Sequence, residues 1–153
     1  MKRFVVALFV ICAFVWVAYP EGSITETRVS RNPPDKITLV WTASTNGIVS
    51  EDTQLVRGCL QRVVFYNGTS SAPTGVSYAV TIKDASGVDV LAGQCSAVPS
   101  SSASAYAYVP GVFVANSSGV TSIVEGVTVN EKLSISVTGV GSQKAGTIVI
   151  YSR

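Results

Sequence analysis

The sequence predicts an all-β protein: an antiparallel β-sandwich, with a jelly roll among the strand arrangements that fit, behind an apolar N-terminal extension. Three observations carry this. Several segments alternate apolar and polar side chains with a period of two, the repeat of a strand with one dry and one wet face. Asn-Gly pairs and small-residue turns punctuate them at short intervals. Charged residues are only 13% of the 153, apolar residues 47%, and Ser, Thr, Gly and Val are plentiful. That balance suits a β-rich core rather than a disordered chain, and the length suits one folded domain.

Residues 1–19, MKRFVVALFVICAFVWVAY, form a segment of their own. Lys2 and Arg3 precede sixteen uncharged residues, Phe4 to Tyr19, and Pro20-Glu21-Gly22 breaks the run. As a helix the run is about 24 Å long at ~1.5 Å per residue, short of the ~30 Å hydrocarbon layer and of export-signal length. A cut after Ala18 leaves Trp16 where a small residue is wanted, and Val10-Ile11 before Cys12 lack the small residue of a lipoprotein box. The segment therefore reads in two ways. Residues 4–19 are an export signal or signal-anchor reaching a membrane, or they are an assembly arm whose Phe4, Phe9, Phe14 and Trp16 pack against a partner protein.

Residues 20–36 read as a linker or arm, polar and of mixed charge. They end in Asn32-Pro33-Pro34-Asp35, which favours extended or turn backbone. The sandwich is expected over 37–153. In ITLVWTAS, Ile37, Leu39, Trp41 and Ala43 share one face; in VSYAVTIKD, Val76, Tyr78, Val80 and Ile82 do; in KLSISVTG, Leu133, Ile135 and Val137 do. Each is a strand with one wet face. CLQRVVFYN and GTIVIYS carry apolar residues on both faces, as strands covered on both sides would. Weaker strands are expected at Val88–Leu91, Ala105–Val114 and Ile123–Val129. Asn46-Gly47 and Asn67-Gly68 suit turns, Asp84-Ala85-Ser86-Gly87 suits a type I turn joining two strands, and Gly139–Gly146 links the last two strands. Ser96–Ser104 reads as an aperiodic loop.

The formal charge of +2 is that of Lys2 and Arg3. Without them nine basic residues face nine acidic ones, scattered along the body. A neutral body does not suit phosphate recognition, so no nucleic-acid partner is expected.

The search for chemistry returns little. With no histidine, the commonest general base, the Ser-His-Asp arrangement and most zinc sites are out of reach. Glu51-Asp52 and Asp84 with Asp89 are acidic pairs, and a glycosidase would need two such carboxylates across a cleft; turn and surface roles suit them better. GVGSQKAG lacks the ending of a phosphate loop and precedes a strand rather than a helix, so it is a hairpin loop. No catalytic residue, cofactor or metal ligand is assigned, and the chain reads as a non-enzyme. Cys59 and Cys95 are a candidate disulfide pair if the chain is exported and ordinary apolar thiols if it is not. Asn67-Gly68-Thr69 and Asn116-Ser117-Ser118 match glycosylation acceptors, as a Ser/Thr-rich chain does by chance. Tyr106 and Tyr108 share a face in SAYAYVP, where they serve either core packing or stacking on a sugar.

ITLVWTASTNG, VTIKDASGVDVLAG and KLSISVTGVGSQKAGTIVIYSR resemble the small β-sandwich virion structural proteins of tailed bacteriophages, over about Ile37 to Arg153. The resemblance implies a non-enzymatic particle component, a capsid decoration or cement protein or a head–tail or tail accessory. It implies self-association and contacts with other virion proteins, and a place in the virion; no site residues come with it. The competing class is an exported bacterial β-sandwich, an adhesin or binding module that is periplasmic, membrane-anchored or secreted. There Lys2 and Arg3 stay on the cytoplasmic side.

Overall fold

The computed structural model describes residues 21–30, 34–68, 73–75, 77–100, 105–108, 110, 112–115, 121–124 and 127–153. Every regular element among them is a strand. In chain order these are β1 (Ser23–Val29), β2 (Asp35–Thr42), β3 (Ile48–Asp52), β4 (Val56–Asn67), β5 (Ser77–Lys83) and β6 (Val98–Pro99). After them come β7 (Ala105–Tyr108), β8 (Val112–Ala115), β9 (Thr121–Val124), β10 (Thr128–Glu131), β11 (Ser134–Thr138) and β12 (Ala145–Ser152).

The pairings are nested. Strand β2 pairs β12, β3 pairs β11, β4 pairs β7 and β5 pairs β6, all antiparallel. Successive pairs fall alternately in two sheets, which β12·β4 and β11·β5 then complete. A long antiparallel ribbon rolled on itself gives this order, and it is the jelly-roll form of the β-sandwich. Sheet one reads β1-β2-β12-β4-β10, with β7 beside the second half of β4; sheet two reads β3-β11-β5-β6. Strands β8 and β9 form a separate hairpin.

The alternating segments are the strands that line the space between the sheets. Ile37, Leu39 and Trp41 of β2 face Tyr78, Val80 and Ile82 of β5 and Ile135 and Val137 of β11 in one apolar cluster. Trp41 and Tyr78 meet at 6.1 Å between ring centroids, and Phe65 and Tyr108 form a T-shaped pair at 5.5 Å. Strands β4 and β12 occupy the middle of sheet one. They bury Val64 and Val149 on its outer face as well as Val63, Phe65, Ile148 and Ile150 within, which is why their sequences are apolar on both faces.

The structure departs from the sequence reading in four places. Ser23–Val29 is no linker: it is a strand in continuous register with β2, so the folded body begins before residue 37. Val88–Leu91 does not extend into a strand beyond a single bridge, Lys83 to Asp89. The Asp89 carboxylate gathers the amides of Ile82, Leu91 and Gly93 at 3.2, 3.1 and 2.9 Å, which curls this apolar stretch into turns. Pro99 and Val98, inside the expected loop, form the short β6. Each of the remaining weak strands divides in two, β7 with β8 and β9 with β10. The Asp84–Gly87 turn forms as expected, with Gly87 N–H donating to Asp84 O at 2.9 Å and φ at 80°.

Candidate functional site

A crevice of about 550 Å³ lies at the rim where β1 of sheet one overhangs β3 of sheet two. Register places it. Ile24, Glu26 and Arg28 lie opposite Trp41, Leu39 and Ile37, so all three turn towards the inter-sheet side. There β1 meets the free edge of β3 rather than the middle of a sheet. Two of its three inward side chains are charged, a pattern that protects an exposed edge from pairing further.

Hydrogen bonds between side chains and backbone groups cross the rim. Ile24 N–H donates to Glu51 Oε2 at 2.9 Å, Gln54 N–H donates to Glu26 Oε2 at 2.8 Å, and Arg28 Nη1 donates to Leu55 O at 2.7 Å. Arg28 Nε also closes an ion pair with Glu26. Gly22 lies so close to β3 that a Cβ there would stand 2.7 Å from Ile48 O. Leu39 and Ile135 form the apolar floor, and Asp52 and Lys132 add opposite charges to the walls.

This arrangement is joinery. Carboxylates that each hold a backbone amide bind two strands together, and the amides raise the cost of moving either one. The acidic pairs singled out from sequence divide accordingly. Glu51 is part of the clamp, while Asp84 takes Val88 N–H at 2.9 Å and Asp89 holds its three amides, so both close turns. Among the described residues no group of three or more His, Cys, Asp or Glu side chains is placed to hold a metal ion.

Cys59 and Cys95, the candidate pair, are both free thiols. Cys59 opposes the exposed Thr128 on the outer side of sheet one. Cys95 is wholly buried against sheet two, where its carbonyl accepts Val80 N–H at 2.9 Å. Burial pushes the Cys95 thiol up to about 12 and, with Tyr108, Cys95 and Tyr106 nearby, raises the Tyr78 hydroxyl too.

Tyr106 and Tyr108 pair opposite Phe65 and Val63, so they face the core, and the sugar-stacking reading is withdrawn. Asn67 is part of the structure: its amide donates to Pro99 O at 3.0 Å and its carbonyl accepts Tyr78 O–H at 2.8 Å, tying the sheets together. Phe4, Phe9, Phe14, Trp16 and Asn116 lie outside the described residues. No helix among the described residues is long and apolar enough to cross a membrane.

Reading by sequence missed the clamp, because Ile24, Glu26, Arg28, Glu51 and Gln54 share no motif. One signal was present: Ile24, Thr25, Thr27 and Val29 make SITETRV rich in β-branched residues, as strands are. No known protein family, curated protein or solved structure matches the chain.

Proposed function

We propose that the protein is a non-enzymatic structural component of a virus particle, a capsid decoration or tail accessory protein of a tailed bacteriophage. It acts by binding copies of itself and other virion proteins. The clamped β1 arm carries this reading. The crevice uses its carboxylates to fasten an N-terminal strand to the rim, and the apolar residues 4–19 precede that strand in the sequence. A jelly roll whose rim carboxylates serve its own joints suits a part that is added to a lattice. The resemblance of residues 37–153 to virion structural proteins points the same way.

Deletion of residues 1–20 tests the proposal. The truncated body keeps its β-type circular dichroism, because β1 and everything it binds remain, while its incorporation into particles falls well below that of the full chain. Undiminished incorporation removes the arm from the assembly. A full-length chain that sediments with membranes and never with particles favours the exported, membrane-anchored module instead.

A further inference from the structure

We propose that β1 is an exchangeable strand: in the assembled state Ser23–Val29 of one copy lies along β2 of a second copy, making between chains the contacts it otherwise makes within one. The inference rests on the assembly reading above and names its partner as a second copy of this chain.

The receptor for β1 is compact and complete without β1's own connector. It consists of the β2 edge, the Glu51 carboxylate, the Gln54 amide and the Leu55 carbonyl. A β1 arriving from another chain meets the same surface, in the same register, with Glu26 and Arg28 matched to the same partners. Those charged matches make this chain's own strand the fitting occupant.

Leaving is also undemanding. Of the inward side chains only Ile24 is apolar, and it is partly buried. Leu39 and Ile135 border the crevice of about 550 Å³ that remains beneath β1 with the strand in place. What holds it is chiefly hydrogen bonding, which a second copy restores in full.

The connector supplies the bias. Val29 pairs Lys36, and the sequence between them contains Asn32-Pro33-Pro34. A residue before proline is driven from the helical region towards extended backbone, and here that applies twice in succession. A hairpin would ordinarily use a short loop with positive-φ residues at this point. Ser30 Oγ donates to Asp35 Oδ1 at 2.7 Å, across the two ends of the connector. A connector whose sequence suits extended as well as turn backbone can carry its strand to a neighbour, the condition for strand exchange.

Thr25 and Val40 are direct cross-strand partners, both exposed on the outer face. Cα atoms so paired stand about 4.5–5.5 Å apart, within disulfide reach. The test uses the full chain carrying Thr25→Cys and Val40→Cys, with Cys12→Ser and Cys59→Ser and the buried Cys95 left in place. The assembled protein is oxidised, and denatured, unreduced chains are separated by mass. Strand exchange yields covalent dimers holding two disulfides, or a ladder of longer multimers, all collapsing to monomer on reduction. The single variants Thr25→Cys and Val40→Cys give neither. Monomers two hydrogens light overturn the proposal, since β1 has then stayed on its own β2; chains with no disulfide overturn it as well. A chain locked as a monomer that still enters particles removes strand exchange and leaves the assembly reading standing. A chain that forms the ladder but never enters particles does the reverse.

Discussion

Strands β1 and β2 are neighbours in unbroken register, from Ser23 opposite Thr42 to Val29 opposite Lys36. They share a backbone arrangement and almost nothing else. On β2 the inward side chains Ile37, Leu39 and Trp41 are no more than 2% exposed, whereas on β1 the inward Ile24, Glu26 and Arg28 all keep solvent contact. Hydrogen bonding places a strand in a sheet; a second layer opposite decides whether it belongs to the core. Sheet two lies beneath β2 and ends with β3 at the rim, so β1 is fastened by amides and charges where β2 is fastened by burial.

The largest effect that can break this comparison is at Trp41. Its indole is buried among Leu39, Tyr78 and the β11 side chains, and Trp41→Ala leaves a cavity the surrounding strands cannot fill. A loss of about 3–5 kcal/mol in unfolding free energy is expected, read from the shift of a urea transition at unchanged slope. A loss below about 1 kcal/mol would mean that β2 is as loosely held as β1.

A smaller effect distinguishes the two by pH. The groups whose ionisation the fold opposes, Cys95, Tyr78 and Tyr108, lie in or against the core cluster that β2 helps to form and not on β1, and burial favours their neutral forms. For Cys95 the folded value is raised from 9.0 to about 12. Above 9.0 the unfolded chain loses this proton while the folded chain keeps it. The associated stability is therefore complete below pH 9.0 and drains away as pH rises towards 12. The two tyrosines add the same sign from a higher starting point. Urea midpoints should fall steadily across that window, and Cys95→Ala should flatten the first part of the fall. A midpoint that holds level to pH 11 would show that the core does not oppose these ionisations.

The sequence disclosed what burial had written into it. Strands β2, β5 and β11 were legible because one face of each is dry, so selection for the core leaves a period of two. Strands β4 and β12 were legible in part, being apolar on both faces because the middle of sheet one is covered on both sides. Strand β1 was not, since an edge strand facing a rim carries Glu26 and Arg28 where a core strand carries Leu39 and Ile37. Val88–Leu91 misled for the opposite reason: its residues are apolar, but the one carboxylate of Asp89 binds three amides and bends the chain. The crevice was invisible for want of locality. Glu26 and Gln54 are 28 residues apart and meet only because the ribbon rolls.

The smallest effect in stability sharpens the comparison most. Glu26→Ala removes both the acceptor for Gln54 N–H and the partner of Arg28, two contacts at the rim whose side chains are 12% and 31% exposed. Pairs so placed contribute about 0.2–1 kcal/mol, so the urea transition should scarcely move. Hydrogen exchange should report more. Ile24 N–H points away from β2 to Glu51, so by alternation the amides of Thr25 and Thr27 point into the β2 ladder, and their protection measures β1 alone. Faster exchange at Thr25 and Thr27, with Leu39 and Trp41 unchanged, would show β1 opening as its own unit while the sandwich stays closed. Equal acceleration on both strands would join β1 to the core. It would also leave the open state needed for strand exchange reachable only through global unfolding.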